Sequence, residues 1–304
     1  MSLHFVQRRG CLTGLLYAAL APLARAQPAP ATPRLRVVAS FSVLADMARE
    51  IGADVVEVSA LVGPDADAHV FEPSPADAQR VAKADLVLIN GLGFEGWIER
   101  LIRASGYRGP VVVATQGIAP RKLGSVDDPH AWQSLVLGQR YVENLRAAMV
   151  VARPSQAAAI DARAADYTRR IERLHQSVRA QFAAIPAVDR RVVTSHDAFG
   201  YFADAYGIAF RAPQGWSTAS EPSATDVARI VRQLKSERVR ALFVENISDP
   251  RLLERIAREA DARVGGTLYS DALSPPGTPG DSYLRMVEHN AKTIESALRS
   301  SRSN

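Results

Sequence analysis

The chain has 304 residues, of which 47% are hydrophobic and 23% are charged, and its formal net charge at pH 7 is +5. This length allows one large domain or two small ones. Three arginines in the first 26 residues contribute to the charge, and without them the net charge is +2. The other arginines are interleaved with acidic residues along predicted helices, a pattern that does not indicate a nucleic acid partner.

Residues 1–26 have the form of an export signal. Arg8 and Arg9 precede a short apolar stretch, and Ala24-Arg25-Ala26 matches a small-x-small cleavage site. The apolar stretch is too short for a transmembrane helix. We therefore predict a periplasmic protein with a cleavable signal. The paired arginines leave both the general secretory route and the twin-arginine route open.

The only cysteine, Cys11, lies before the apolar stretch of the signal, so the sequence does not predict a lipoprotein. The mature chain would contain no cysteine and must fold without a disulfide. The Pro/Ala-rich residues 27–33 are predicted to be a disordered leader.

Strand-like and helix-like segments alternate along the first part of the mature chain. The predicted strands are Leu35–Ser40, Val55–Val62, Leu86–Asn90 and Val111–Thr115. The predicted helices between them are Val43–Ile51, Pro75–Lys83 and Gly96–Ala104. Strands separated by helices of this length are typical of βαβ units, which place the strands in a parallel sheet.

The same alternation resumes after residue 190. The predicted strands are Val192–Ser195, Leu242–Glu245 and Thr267–Ser270. The predicted helices are Phe199–Tyr206, Ala224–Glu237, Arg251–Asp261 and Tyr283–Leu298. We therefore predict an α/β protein with two lobes, each a parallel β-sheet flanked by helices.

A long helix is predicted between the two α/β segments. No glycine occurs between Gln139 and Phe199, and Pro154 and Pro186 bracket one continuous apolar stripe. The stripe consists of Ile160, Ala164, Tyr167, Ile171, Leu174, Val178 and Phe182. About 30 helical residues span roughly 45 Å, enough to run the length of both lobes. The predicted organisation is an N-terminal lobe at 34–153, a linking helix at 154–186 with Ser155 as its N-cap, and a C-terminal lobe at 187–304.

Four residues are candidate metal ligands: His69, His130, His196 and Asp271. Each follows a strand-like apolar run by a few residues, and ligand-binding groups collect at the carboxyl ends of parallel strands. Three imidazoles and one carboxylate complete a four-coordinate shell for a transition metal. Such a shell predicts metal capture and argues against catalysis, which needs an open coordination position.

The sequence resembles the zinc/manganese solute-binding proteins of bacterial ABC importers. The resemblance rests on segments spread in order over the mature chain: Ala68–Pro75, Asp127–Trp132, Thr194–Phe202, Ser220–Ser223, Phe243–Glu245 and Tyr269–Leu273. It implies two lobes joined by one rigid helix, with the metal in the cleft between the lobes. The family's ligand positions fall on the four residues already selected. The resemblance also implies a monomer that delivers metal to a membrane permease with a cytoplasmic ATPase.

The sequence departs from the family in two places. The zinc-specific branch often has a His-rich loop between its first two ligands, whereas Val70 to Pro129 contains no histidine here. After Trp132 the family usually continues with Asp-Pro, whereas this chain has Gln133-Ser134-Leu135. The second departure makes the conformation of the local turn an open question.

Three imidazoles favour Zn²⁺, because Mn²⁺ prefers oxygen donors; Mn²⁺ or Fe²⁺ is the alternative. A metal-bound imidazole usually donates its other N–H to a carboxylate or a carbonyl. Glu221 and Glu245 are candidates for that role, and a structural salt bridge is equally compatible with either. Two other classes of protein remain as alternatives. One is a zinc hydrolase, for which the sequence contains no HExxH-type pair, and the other is a metal-storing adhesin.

Overall fold

The structure, a computed structural model, describes residues 1–2, 33–215, 217–237, 239 and 241–300. The predicted signal peptide and leader therefore lie almost entirely outside the described residues. The chain divides into two units, Met1–Pro33 and Arg34–Asn304, and all secondary structure given below belongs to the second. Within the described ranges, no helix is both long enough and apolar enough to cross a membrane.

The first half of this unit is built on a parallel four-stranded sheet. Its strands are β1 (Leu35–Phe41), β2 (Val56–Val62), β3 (Leu86–Ile89) and β4 (Val111–Val113). Their spatial order is β2-β1-β3-β4. The helices that connect them are α1 (Ser42–Gly52), α2 (Pro75–Ala82) and α3 (Ile98–Ser105). All but one residue of β1 is buried, as expected for a central strand of a parallel sheet that is covered on both faces.

The middle of the chain contains a small hairpin and two long helices. The hairpin pairs β5 (Lys122–Leu123) with β6 (Val126–Asp127). The helices are α4 (Leu135–Ala152) and α5 (Ala157–Ala183). The sequence analysis did not predict the hairpin or α4. Gly138 interrupts the pattern of α4, and it is needed there because a Cβ at this position would lie 2.5 Å from the Tyr283 hydroxyl oxygen.

The second half repeats the architecture of the first. Its strands are β7 (Arg191–Val193), β8 (Ala209–Arg211), β9 (Ala241–Glu245) and β10 (Arg263–Leu268). They are parallel and lie in the order β10-β9-β7-β8, which is the order of the first sheet read from its other edge. The helices are α6 (Gly200–Tyr206), α7 (Ala224–Glu237), α8 (Pro250–Ala260) and α9 (Tyr283–Ser300). The prediction of two parallel sheets flanked by helices is confirmed; the three-residue strand β8 was not predicted.

Helix α5 confirms the predicted long helix between the halves, with 27 residues and a length of about 40 Å. The predicted apolar stripe is buried, except for Leu174, which is half-buried. The next residue, His175, is buried, and its imidazole is hydrogen-bonded to the Tyr206 hydroxyl. The prediction of Ser155 as N-cap is wrong. Residues 154–156 form a 3-10 turn, and the helix begins at Ala157 without a side-chain cap.

One hydrophobic cluster extends through both halves, and a smaller one lies within the second half around α7 and α8. Helix α5 packs against α1 and α4 of the first half and against α6 and α9 of the second. Buried side chains from both sheets belong to the same cluster as the stripe of α5. Hydrogen bonds also cross between the halves, from the Leu273 N–H to the Ser42 hydroxyl and from the Asp65 N–H to the Leu273 carbonyl. Separating the halves would therefore expose close-packed core.

Asp46 of α1 joins the halves through a half-buried carboxylate that accepts the Tyr283 N–H at the start of α9. Burial raises the pKa of Asp46 to about 6. A carboxyl group with a raised pKa stabilises the fold fully below its unfolded value and loses that contribution as the pH rises through 6. We expect Asp46→Asn, which keeps an oxygen for the Tyr283 N–H, to gain about 1 kcal/mol relative to wild type between pH 5 and 7.5.

The measurement is urea unfolding of the metal-free protein at both pH values. Asp166→Asn, at an exposed position on α5, is the control and should show no such gain. An equal pH dependence in Asp46→Asn and wild type would contradict this account of the carboxyl group.

Candidate metal centre

The four predicted ligands converge from loops of both halves. His69 lies in the loop after β2, and His196 and Asp271 each lie three residues beyond the last residue of β7 and β10. These three residues follow parallel strands, as predicted. For His130 the expectation is wrong: it follows the antiparallel hairpin β5–β6 and precedes a 3-10 turn at Ala131–Gln133 that leads into α4.

One potential ligand atom from each of His69, His130, His196 and Asp271 lies within 4.8 Å of all the others. The Asp271 carboxylate is at the centre of the group. Its Oδ2 is 3.1 Å from the Nε2 atoms of both His69 and His196, and its Oδ1 is 3.7 Å from Nε2 of His130. All four side chains are buried. The arrangement presents three imidazole nitrogens and a carboxylate around one point inside the protein.

Glu245, at the end of β9, contacts both the backbone and the imidazole of His196. Its Oε1 accepts the His196 backbone N–H at 2.8 Å, and its Oε2 lies 2.6 Å from Nδ1 of the imidazole. Both side chains are fully buried. A carboxylate at Nδ1 leaves Nε2 facing the other ligands, as in histidines whose orientation is fixed for metal binding.

Asp128 has the same relation to His130, and the sequence analysis did not identify it. Its Oδ1 lies 2.8 Å from Nδ1 of His130 and also accepts the His130 backbone N–H at 3.0 Å. The signal was available, because an aspartate two residues before a histidine can form a local turn of this kind. On the other side, the Asn90 side chain at the end of β3 donates to the Pro129 carbonyl at 2.9 Å. Asn90 thus attaches His130 to the first sheet although no parallel strand leads to it.

His69 is held by bonds to its own loop. The Asp67 carboxylate accepts the His69 backbone N–H at 2.8 Å, and the Trp97 indole donates to the Ala68 carbonyl at 2.7 Å. Asp67 also accepts the Thr218 hydroxyl from the second half, at 2.5 Å. The loop that carries His69 is therefore hydrogen-bonded to both halves of the chain.

Glu221 lies apart from the four. Its side chain is exposed and lines a surface pocket together with Asp67, Ser195 and Asp249. Among the described residues, no hydrogen bond or ion pair joins its carboxylate to one of the predicted ligands. The geometry thus places one of the two predicted supporting carboxylates, Glu245, beside a histidine and leaves the other on the surface.

The charges of the cluster are strongly coupled. Burial lowers the pKa of His69. Burial also opposes protonation of His196, but the charges of Glu245 and Asp271 outweigh it and raise the pKa of His196 well above its usual value. Burial acts to raise the pKa of Asp271, and the charges of His196 and His130 hold that pKa well below the usual range. The two buried carboxylates thus favour positive charge on His196, and the neighbouring imidazoles favour the ionised form of Asp271.

Comparison with known proteins identifies the family. A family model described as "Zinc-uptake complex component A periplasmic" matches residues 37–297. The manganese-binding lipoprotein MntA of Bacillus subtilis is 34% identical over 88% of this chain and 91% of its own length. The iron-binding protein YfeA of Yersinia pestis is 30% identical over 90% of this chain and 89% of its own. These relatives are named for binding metals, not for enzymatic activity.

A solved structure has the same fold. The periplasmic zinc binding protein TroA of Treponema pallidum superimposes with a TM-score of 0.85 at 30% sequence identity, covering 88% of this chain and 99% of that one. In that fold, too, a long helix lies between two lobes. With the family model and the relatives, this similarity shows that the chain belongs to the family of metal-binding solute-binding proteins of ABC importers.

Proposed function

We propose that the protein captures one divalent transition metal, preferentially Zn²⁺, in the periplasm and delivers it to a membrane permease driven by a cytoplasmic ATPase. The observation that carries the proposal is the convergence of four ligand atoms within 4.8 Å of one another. His69 and His130 would supply two ligands from an N-terminal lobe at 34–153, and His196 and Asp271 two from a C-terminal lobe at 187–304. The segment between the lobes, 154–186, would contain the linking helix α5.

The donor set and its spacing favour zinc. Zn²⁺ binds imidazole and carboxylate at about 2.0–2.1 Å in tetrahedral sites, which corresponds to ligand–ligand separations of about 3.3 Å. The Nε2 atoms of His69 and His196 each lie 3.1 Å from the same Asp271 oxygen, Oδ2, which is close to that value. Mn²⁺ prefers oxygen donors, of which this site has a single carboxylate.

Manganese is the second candidate. Relatives of similar identity are named for manganese, for iron and, in the case of TroA of Treponema pallidum at 32% identity, for zinc. Asp271 could enlarge the coordination number by binding through both oxygens. A hydrolytic role is disfavoured, because Asp271 fills the position that a metal-bound water would need.

We expect isothermal titration calorimetry of the mature protein to show one Zn²⁺ per chain. His130→Ala and His196→Ala should each weaken Zn²⁺ binding by more than about 100-fold, because removing a ligand costs more than removing a supporting group. His289→Ala on α9, whose ring lies 3.0 Å from the Thr267 carbonyl, is the matched control and should bind like wild type. Unchanged affinity in both ligand variants would refute the site.

Protons should compete with the metal. A coordinating histidine must be neutral, and the free imidazole pKa is about 6.5. Because the pKa of His196 is raised, we expect metal binding to release a proton from it and the Zn²⁺ affinity to fall steeply from pH 7 to 5. Calorimetry in two buffers of different ionisation enthalpy measures the protons released. Release that is the same in His196→Ala as in wild type would show that the proton comes from elsewhere.

Replacing a nitrogen donor with oxygen should change the metal preference. In His196→Glu we expect Zn²⁺ affinity to fall relative to Mn²⁺ affinity, since a second carboxylate suits manganese. Competition between the two ions for a fluorescent chelator gives the ratio, with His289→Glu as the control. A ratio equal to that of wild type would exclude His196 from direct metal contact.

A further inference from the structure

The turn that follows His130 is tied directly to the residue that precedes Asp271. The Ser270 carbonyl accepts two hydrogen bonds, from the Trp132 indole at 2.9 Å and from the Gln133 side-chain amide at 2.8 Å. Both bonds are buried, and both cross from the first half of the chain to the second. The backbone beside one predicted ligand is thus fixed to the backbone beside another.

Gln133 at this position costs folding free energy. It is fully buried, and its Oε1 has no hydrogen-bond partner among the described residues. A buried amide oxygen without a partner costs free energy that an apolar side chain of the same size would avoid. The Ser270 carbonyl does not require Gln133 either, since Trp132 already satisfies it. Gln133 must therefore contribute by fixing the position of the Ser270 carbonyl.

The hydrogen bond from Gln133 to the Ser270 carbonyl controls the contact between His130 and Asp271. Their separation of 3.7 Å is the longest of the three contacts that the Asp271 carboxylate makes to an imidazole. His196 and Asp271 both come from the second half, whereas His130 comes from the first. The spacing between His130 and Asp271 therefore depends on what fixes Ser270 relative to the Ala131–Gln133 turn.

We propose that Gln133 is a positioning residue that holds Asp271 at the spacing of a tetrahedral ion and thereby sets the preference for Zn²⁺ over Mn²⁺. The inference rests on the proposed function of the site. Without the Gln133 bond, the Trp132 indole alone ties the Ser270 carbonyl to the turn after His130. The Ser270–Asp271 backbone can then shift relative to His130, and the carboxylate can turn both oxygens to the ion. That higher coordination with more oxygen favours Mn²⁺ relative to Zn²⁺.

The test is Gln133→Met, which keeps the size of the side chain and removes both the donor and the unpaired oxygen. We expect this variant to unfold in urea at the same concentration as wild type or a higher one when metal-free. It should nevertheless bind Zn²⁺ about 10- to 100-fold more weakly, the range typical of residues that orient a ligand. Its Mn²⁺ affinity should change less, so that the Zn²⁺/Mn²⁺ affinity ratio falls. Gln181→Met is the matched control, because Gln181 also donates to a backbone carbonyl, that of Ala291, and lies outside the site.

A double-mutant cycle shows whether Gln133 acts through Asp271. In an Asp271→Asn background, Gln133→Met should cause no further loss of Zn²⁺ affinity. The inference is overturned if Gln133→Met has the Zn²⁺/Mn²⁺ ratio of wild type or of Gln181→Met, or if it weakens binding equally with and without Asp271. These outcomes differ from failure of the proposed function, in which wild type itself would bind neither ion.

Discussion

The Asp271 carboxylate is the group on which the rest of the site depends. It is fully buried, and three imidazoles from three separate loops lie around it. A buried carboxylate is costly unless positive charge or hydrogen bonds compensate it. Because two of the imidazoles belong to the first half and Asp271 to the second, compensation requires the halves to stay together. The shared core and α5 meet that requirement.

The electrostatics explain why such a site takes up a cation. Glu245 and Asp128 add two more buried carboxylates directly behind His196 and His130. The charges of Glu245 and Asp271 raise the pKa of His196, which means that positive charge is favoured at this place. A divalent ion would supply more positive charge there than a proton does. The groups that orient the imidazoles thus also make the cavity favourable for a cation.

The sequence predicted the features that depend on residues close to one another in the chain. Helix and strand periodicity located both sheets and α5, and short strand-end loops pointed to His196 and Asp271. His130 has no parallel strand before it and is positioned by Asn90, which is 40 residues away, so its environment could not be predicted from spacing. The position of Glu221 in the segment Ser220–Ser223 was equally insufficient to predict its surroundings, because its side chain is exposed. Side-chain direction depends on tertiary packing, which a linear pattern does not contain.

The same packing determines how the metal can leave. Helix α5 contains no glycine or proline, the usual sources of a kink, and its stripe is buried in the core of both halves. A hinge rotation of one half against the other would have to break that close-packed core. Movement of the loops after β7 and β10 would instead displace His196 and Asp271, half of the four predicted ligands, while the stripe of α5 stays packed. Release through small local displacements therefore requires much less free energy than a wide opening of the cleft.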